Sequence, residues 1–372
     1  PKGRQLRNAL IGVQYVASFG LIIGATFMYL QNYYMQNTPL GYDKDEIIIT
    51  NMNNNIRKSR DAFASQVKSF SGIEEVTYAE MLLSSQDQYM GWGRKYRDKD
   101  IQFQCLPVEP SFLKVMNVKI SEGRDFREED KAKRYGTFVF NERARTEYGL
   151  EIGSLIDSME IVGFMPDVKF ASFRTEVTPM AFFVWGTNNW GNQPNYAYIK
   201  VKAGSDLRGA MQHVKTTLQS FDPEYPFNVR FFDEVLNGLY EKERSLSSLI
   251  TLFSLIAIFI SVVGVFGLVV FDSEYRKKEI GIRKVLGSTT EEIIVMFNKT
   301  YIRILCVCFV LGAPIAGYVV HRWLENFAYK TPMYWWVYLI AFAIIAVITI
   351  LTVTFQNWRA ANENPVHSIK NE

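Results

Sequence analysis

Four stretches of the chain contain no aspartate, glutamate, lysine or arginine, and each is rich in apolar residues. They are 8–42, 245–271, 304–321 and 331–358. A helix needs about 20 predominantly apolar residues to cross the hydrocarbon core of a bilayer. Buried helices of soluble proteins are usually shorter and keep charges on one face. The pattern therefore predicts four membrane-spanning helices, with a kink or tilt at Pro314 in the third.

The first stretch allows one alternative, a cleaved signal peptide that follows Lys2, Arg4 and Arg7. Its apolar part, 9–30, is longer than the apolar region of a signal peptide, which has about 7–15 residues. The segment 29–39 also contains no small-residue cleavage site. A retained membrane helix is therefore the favoured interpretation.

The long segment between the first two predicted helices has a mixed pattern of strands and helices. A strand–helix–strand order is predicted at 45–83 and again at 196–232. The part between them, 84–195, contains mostly short strand patterns. We therefore predict a split α+β lobe built from both flanks and a β-rich lobe inserted into it. The predicted fold class is an α-helical membrane protein with four transmembrane helices and a mixed α+β, two-lobed extracytoplasmic domain.

The distribution of lysine and arginine predicts the orientation, because these residues are enriched on the cytoplasmic side of membrane helices. They precede the first helix and cluster at 276–284, whereas the loop between the third and fourth helices has only Arg322 and Lys330. Both termini and the loop between the second and third helices are therefore predicted to be cytoplasmic. The predicted parts of the chain are a first membrane helix 1–35 with a cytoplasmic N-terminus, an extracytoplasmic domain 36–244, a second membrane helix 245–271, a cytoplasmic coupling loop 272–299, a third membrane helix 300–321, a fourth membrane helix 334–358 and a cytoplasmic tail 359–372.

Composition excludes several classes of protein. The 372 residues include 41 lysines and arginines and 38 aspartates and glutamates, which gives a net charge of +3. This charge creates no general basic field, so no nucleic-acid partner is predicted. Three cysteines in this length exclude a disulfide scaffold.

The sequence contains no recognisable catalytic or metal-binding constellation. Its histidines are His213, His321 and His367, and no HExxH, GxSxG or phosphate-binding Walker motif is present. No catalytic, cofactor-binding or metal residues are therefore predicted. The predicted spans also lack acidic and basic residues, which argues against a transporter driven by an ion gradient.

The cytoplasmic loop has the strongest local pattern. Glu274 precedes Lys278 by four residues and Glu279 precedes Arg283 by four, which is the favourable order for ion pairs on a helix. Gly287 is a candidate C-cap for this helix.

A second helix is predicted directly after this cap. Two capping boxes are available, Ser288 with Glu291 and Thr289 with Glu292. Basic residues alone would fit a positive-inside anchor. Such an anchor would not explain the glutamates or the two caps. These features favour a defined protein-docking surface.

Helical extensions of the first two membrane helices are predicted outside the membrane, at 31–36 and 233–244. Together they would form a stalk that links the outer domain to the membrane helices. The residues selected as candidates for this transmission are Asp233, Glu234, Tyr240 and Arg244.

The loop sequence EYRKKEIGIRKVLGS at 274–288 resembles the cytoplasmic signature of FtsX/MacB-type ABC transporter permeases. The resemblance extends over nearly the whole chain. The segments 124–126, 138–141 and 163–173 look like the MacB-type core domain, and Asn-Pro-Val at 364–366 matches the tail of the family.

The resemblance implies a separate cytoplasmic ABC ATPase that binds ATP and magnesium, while this chain binds no cofactor. ATP-driven motion of the membrane helices would reach the outer domain through the stalk, an arrangement called mechanotransmission. The chain resembles the C-terminal four-span unit of a longer member, so a second permease unit would come from a homodimer or from an N-terminal half. The residues that the resemblance implies for ATPase docking and coupling are Glu274, Arg276, Glu279, Ile280, Gly281, Arg283, Lys284 and Gly287.

The predicted function is therefore a permease subunit in the inner membrane of a bacterium, embedded in lipid, with its large domain in the periplasm. Export of peptides, drugs or lipoproteins is expected, with a periplasmic adaptor and an outer-membrane channel as further candidate partners. The alternatives are a membrane signalling receptor and an FtsX-like regulator of a cell-wall hydrolase. A membrane-anchored enzyme is disfavoured because histidine, cysteine and acidic residues do not cluster.

Overall fold

In a computed structural model, the residues described are 2–86, 88–275, 283 and 287–361. The chain divides into a membrane unit, Pro1–Asn37 with Lys242–Glu372, and an outer domain, Thr38–Glu241. Within the described residues the helices are α1 (Lys2–Asn37), α2 (Asn54–Lys58), α3 (Arg60–Lys68), α4 (Phe112–Val115), α5 (Glu142–Tyr148), α6 (Leu207–Phe221), α7 (Phe232–Leu239), α8 (Glu241–Tyr275), α9 (Thr290–Leu324) and α10 (Trp336–Ala361), with a 3-10 helix at Glu128–Ala132. The strands are β1 (Ile47–Asn51), β2 (Ile73–Ala79), β3 (Gly91–Tyr96), β4 (Lys99–Val108), β5 (Glu122–Gly123), β6 (Thr137–Asn141), β7 (Leu155–Ile156), β8 (Met159–Met165), β9 (Met180–Val184), β10 (Tyr196–Val201) and β11 (Arg230–Phe231).

Four helices of the membrane unit are long and apolar enough to cross a bilayer. The qualifying segments are Ile11–Asn37, Arg244–Gly264, Thr290–Leu324 and Trp336–Trp358. The prediction of four membrane helices and a mixed α+β domain is therefore confirmed. The third helix continues on both sides of Pro314.

Three of these helices, α1, α9 and α10, share one buried core. Its largest members on α1 are Tyr15, Phe19 and Phe27, which are almost fully buried. Gly312 of α9 lies against Val16 of α1, where an added Cβ would be in ordinary van der Waals contact at 3.4 Å. Small residues at such contacts allow helix backbones to pack closely in lipid.

The outer domain is built on a mixed sheet of eleven strands. The strand order is β11-β1-β10-β2-β4-β9-β6-β8-β5, with β3 paired to β4 and β7 paired to β8. At one end, β10 lies antiparallel between β1 and β2, and β11 pairs with β1. The two strand–helix–strand segments of the chain thus interleave, as in ferredoxin-like sheets.

Helices α3 and α6 cover this first part of the sheet. Asp206 is the N-cap of α6, because its Oδ1 accepts a hydrogen bond from Gly209 N at 3.0 Å. The buried residues of α6 include Val214 and Leu218, spaced for one helix face. They pack with Phe63 of α3 in a core beneath both helices.

A second core fills the β-rich part of the domain. Strands β6 and β9 are buried along their whole length, which explains their nearly continuous apolar sequences. The rings of Trp92, Phe103, Phe138 and Phe183 meet in this core, with Trp92 and Phe183 5.0 Å apart between centroids. One sheet runs through both cores, joined by the single described pair Ala79 and Val108 between β2 and β4. This continuity was not predicted, and the predicted lobe boundaries stay predictions.

Asp125 is a partly buried carboxylate after β5. Its Oδ1 accepts a hydrogen bond from Phe126 N at 2.6 Å, and burial raises the pKa of the carboxyl to about 6. The unfolded value is about 3.9. Because the folded pKa is the higher one, the contribution of this group to stability is full below about pH 4 and is lost as the pH rises through about 6.

We therefore expect Asp125 to add thermal stability to the protein when the pH is lowered from about 7 to about 5. Asp125→Asn should lose this gain, because an amide does not titrate. The test is the thermal unfolding midpoint of the full chain in detergent across this pH range, with Asp98→Asn at an exposed position as the control. Equal pH dependence of the wild type and Asp125→Asn would contradict the assignment.

Candidate coupling and transmission sites

The predicted coupling loop, 272–299, includes the last residues of α8, which ends at Tyr275, and the first residues of α9, which begins at Thr290. Of its eight selected residues, Glu274 belongs to the last turn of α8, Arg283 is exposed, and Gly287 is in a turn. The placement of the other five stays a prediction. The residues that lie outside the described part of the chain are Arg276, Glu279, Ile280, Gly281 and Lys284.

The described end of this loop has the geometry of a helix C-terminus. Ser288 N donates a hydrogen bond to the carbonyl of Arg283 at 2.9 Å. Gly287 has φ 94°, a left-handed conformation that suits glycine. A 6→1 bond with glycine in this position is one of the two hydrogen bonds of the Schellman motif. Gly287 thus has the C-cap geometry that its position predicted, while a role in docking stays a prediction.

The helix that follows begins at the second of the two predicted capping boxes. Glu292 N donates to Thr289 Oγ1 at 3.3 Å, and Thr289 N donates to Glu292 Oε2 at 3.1 Å. From this cap α9 continues as one helix of 35 residues, which corresponds to about 50 Å. A displacement at the cap would therefore act along the entire helix.

The apolar face of α9 is buried from its first turns. Ile293, Phe297, Tyr301 and Leu305 recur every four residues and pack in the core shared with α1 and α10. The loop end of α9 is thus held to the membrane unit by apolar contacts.

Helix α8 is attached differently. Ser18 Oγ of α1 lies 2.7 Å from Ser261 Oγ, and Ser254 Oγ donates to the carbonyl of Leu21 at 3.0 Å. A Cβ at Gly264 would lie 2.6 Å from the Oε1 of Gln14. The small and hydroxyl residues of α8 therefore face α1, a contact we call the polar seam. The large exposed apolar residues of α8 are Leu246, Leu249, Leu252, Phe253, Leu255, Ile256, Phe259, Ile260, Val263, Phe266 and Phe271.

In the outer domain, Asp233 and Glu234 lie in the first turn of α7. Acidic groups there interact favourably with the positive end of the helix dipole, so local helix stability accounts for both residues. The opposite face of α7 is buried through Phe232, Val235 and Leu236. The helix is thereby fixed to the core of the outer domain.

The sequence predicted that 233–244 runs as a helix into the second membrane helix, but α7 ends at Leu239 and α8 begins at Glu241. The residue between them, Tyr240, is held by the outer domain. Its hydroxyl accepts a hydrogen bond from Phe173 N at 3.0 Å, and its ring lies edge-on to Phe173. Arg244, the fourth candidate, is exposed on α8, and its carbonyl accepts from Ser248 Oγ.

The residues that follow α1 are held by the same loop of the outer domain. Lys169 N donates to the carbonyl of Leu40 at 2.9 Å. The ring of Tyr42 stacks on Phe170 at 4.7 Å and lies 5.7 Å from Phe232 of α7. The loop 166–175 therefore contacts both ends of the outer domain.

We call Tyr42, Phe170, Phe173, Phe232 and Tyr240 the junction cluster. Burial raises the pKa of Tyr42 far above its ordinary value, so the phenol keeps its proton for the hydrogen bond with Ser84 Oγ at 2.7 Å. Sequence reasoning selected only Tyr240 of this cluster, because the contacts join positions more than sixty residues apart. Apart from the family resemblance at 163–173, no local pattern indicates them.

The comparisons with known proteins identify the family. The model of the MacB-like periplasmic core domain matches residues 11–217, and the model of the FtsX-like permease C-terminal domain matches residues 251–365. The first match alone covers more than half of the chain. The chain therefore belongs to the FtsX/MacB-type permeases, and its outer domain is a periplasmic core domain of this family.

Individual relatives are more distant. The macrolide export ATP-binding/permease protein MacB of Chromobacterium violaceum is 23% identical over 230 residues, which cover 59% of this chain and 35% of that protein. The protein of the same name from Escherichia coli (strain K12) is 23% identical over 233 residues, with the same coverage. The chain thus spans about a third of the length of the curated relatives it matches.

Two solved structures are also similar. The periplasmic region of MacB from Actinobacillus actinomycetemcomitans has 14% identity and a TM-score of 0.39, and it covers 54% of this chain and 94% of that structure. The extracellular domain of the ABC-type transporter YknZ from Gram-positive bacteria has 12% identity and a TM-score of 0.35, and it covers 50% and 99%.

The junction cluster yields a test that needs no partner protein. Tyr240→Phe keeps the ring but removes the acceptor for Phe173 N, at a cost of about 1 kcal/mol. We expect amide hydrogen exchange in the loop 166–175 to become about fivefold faster in the full chain. Mass spectrometry measures this rate.

The matched control is Tyr225→Phe, which removes a more exposed phenol that accepts from Asn51 Nδ2 at 3.3 Å. Exchange in the loop 166–175 should not change in this control. An unchanged rate in Tyr240→Phe would show that its hydroxyl does not stabilise the loop.

Proposed function

We propose that this chain is the permease unit of an ABC transporter, and that it transmits motion driven by a separate cytoplasmic ATPase to its periplasmic domain. One observation carries the proposal. The loop 166–175 holds Leu40 and Tyr42, which follow α1, and Tyr240, which precedes α8. In this proposal, motion of either membrane helix would reach the outer domain through this loop.

The ATPase would dock on the cytoplasmic loop 272–299 and supply the bound ATP and magnesium. The capped start of α9 and its continuous length support this part of the proposal. In this mechanism the chain binds no cofactor and hydrolyses no ATP. A second permease unit, from a homodimer or from an N-terminal half, would complete the transporter.

The proposed location is the inner membrane of a bacterium, with both termini in the cytoplasm. The concentration of lysine and arginine at 276–284 supports this orientation. Because relatives are named macrolide export proteins, export of a drug, a peptide or a lipoprotein is proposed. A periplasmic adaptor and an outer-membrane channel are proposed as further partners.

Within the membrane unit, we propose that α8 is the helix that moves. It contacts α1 mainly through the polar seam, with Ile258 packed against the apolar core that α1, α9 and α10 share. Hydroxyl contacts between membrane helices contribute only about 0.6–2 kcal/mol each. A helix held mainly in this way can change its position at a small energetic cost.

Docking is tested by removing the charges of the loop. Glu279→Ala with Arg283→Ala should abolish both binding and stimulation of the ATPase that copurifies with the full protein. The matched control is Arg322→Ala with Glu325→Ala, which removes an exposed ion pair of 3.1 Å at the C-terminal end of the third membrane helix. ATPase binding and stimulation equal to wild type in the loop variant would refute docking at these residues.

Movement of α8 is tested by crosslinking the polar seam. Ser18→Cys with Ser261→Cys places two thiols where the hydroxyls are 2.7 Å apart. We expect oxidation to abolish ATP-dependent transport, or coupled ATPase turnover, and reduction to restore it. The control crosslink is Asn298→Cys with Thr354→Cys, which joins α9 to α10 where the side chains are 3.0 Å apart.

This control lies among helices that are proposed to stay together, so its oxidation should leave coupling unchanged. Full activity with the Ser18 and Ser261 positions crosslinked would exclude movement of α8 along α1.

A further inference from the structure

An open groove of about 600 Å³ lies on the β-rich part of the outer domain. This volume is within the range of roughly 300–1,000 Å³ found for small-molecule sites. The floor is formed by β3 and β4, on the face opposite the aromatic core. Trp92 and Phe103 direct their rings into that core, so the residues that alternate with them face the groove. These residues are Gly91 and Gly93 on β3, and Gln102 and Gln104 on β4.

The two glycines are not required by the fold. Neither Gly91 nor Gly93 has a positive φ, and a Cβ added to either would meet no atom within 4 Å. Glycine lowers the stability of a strand, and it often occurs where a ligand or another backbone approaches closely. The backbone conformation and the surrounding packing would both allow a side chain at these two positions. Close approach of a ligand therefore explains why glycine occupies them.

The amide groups of the groove are positioned for hydrogen bonding. Gln104 Oε1 accepts from Tyr89 N at 2.8 Å, and its Nε2 donates to Thr178 Oγ1 at 2.8 Å. A glutamine amide has two donor hydrogens and two acceptor lone pairs, so one of each remains. The exposed amide of Gln102 makes no hydrogen bond with the described part of the chain.

The lining determines the class of ligand. None of the described residues that line the groove is charged, which favours an uncharged ligand. Trp92 and Phe103 are only 6% and 4% exposed and Tyr89 is buried, so the half-buried Tyr148 is the one described aromatic residue of the lining that could stack on a sugar or a planar drug. Its hydroxyl is already bonded to the carbonyl of Gln102 at 2.6 Å. Bare main chain beside glutamine amides instead matches the alternating donors and acceptors of a peptide backbone.

We infer that this groove binds a short, extended, uncharged peptide segment, whose main chain lies over Gly91 and Gly93 and pairs with the amides of Gln102 and Gln104. This inference deepens the proposed function, and a role of the peptide as transported cargo rests on that proposal. Binding itself requires only the outer domain.

The groove is also connected to the junction cluster within the outer domain. Tyr89 lines the groove, and its hydroxyl donates to the carbonyl of Phe170 at 2.8 Å. The same hydroxyl accepts from Ser84 N, and Ser84 Oγ bonds to Tyr42. A ligand that displaces Tyr89 would therefore act on the loop 166–175.

Binding is tested on the full chain in lipid nanodiscs without any ATPase, so that loss of coupling cannot obscure the result. The probe is a blocked, coumarin-labelled pentapeptide of alternating threonine and valine, followed by fluorescence anisotropy. Gly91→Val and Gly93→Val each fill the floor and should weaken binding about tenfold, equivalent to one or two net hydrogen bonds. Both variants should keep the thermal midpoint of the wild type, because valine favours strands.

The matched control is Gly191→Val, an exposed loop glycine outside the groove that also has open space around its Cβ position. It should bind the probe like the wild type. Gln102→Leu provides a second variant that removes an amide without changing a glycine, and it should also weaken binding. The same peptide with alternate amides N-methylated should bind poorly to the wild type, because the main-chain donors are lost.

Three results would overturn the inference. The first is equal probe binding by the wild type, Gly91→Val and Gly93→Val. The second is equal binding of the N-methylated peptide. The third is the absence of peptide binding, including the case where a macrolide or a neutral oligosaccharide binds in its place. If a peptide binds but does not change coupled ATPase turnover, the groove is a peptide-binding site. This result would contradict only the proposed transmission of motion.

Discussion

The outer domain interrupts a membrane protein, so both of its ends must be anchored for motion of the membrane helices to reach it. The contacts of Tyr42 and Tyr240 with the loop 166–175 meet this requirement. Tyr42 contributes ring stacking on Phe170, and Tyr240 contributes a hydrogen bond that its hydroxyl accepts from Phe173 N, so the two contacts combine packing with a directional bond. In the proposed mechanism, these contacts keep the residues after α1 and before α8 from acting as flexible linkers.

Two modes of helix association coexist in the membrane unit, and lipid explains the difference between them. Apolar side chains gain no hydrophobic energy by leaving lipid, so close packing and hydrogen bonds must hold the helices together. Tyr15, Phe19 and Phe27 provide extensive packing between α1, α9 and α10. The polar seam of α8 provides a few hydroxyl contacts and leaves a wide apolar face toward lipid or another membrane helix. The same bundle can therefore contain a rigid part and a more weakly attached helix.

One face of the β3–β4 hairpin stabilises the outer domain, and the opposite face carries the proposed binding groove. The face of β3 and β4 that carries Trp92 and Phe103 belongs to a dense aromatic core. The opposite face carries glycines and amides and leaves an open groove. In the proposed site, hydrogen bonds with Tyr89 N and Thr178 Oγ1 hold the amide of Gln104 in place above this rigid core. A fixed amide needs less reorganisation to recognise a main chain. Tyr89 then connects this face with the anchored ends of the domain.

The sequence by itself determined the features that depend on local pattern. Uncharged stretches predicted the four membrane helices, because length and polarity decide whether a segment can enter lipid. Glycine and threonine spacing predicted the caps at Gly287 and Thr289, since caps involve neighbouring residues. The tertiary structure alone decided the features that join distant positions. It selected one of the two capping boxes, interrupted the helix at Tyr240, continued one sheet through both cores and placed Phe170 beside Tyr42. Contacts between residues far apart in the chain leave no periodic signal, because their partners are chosen by packing and not by spacing.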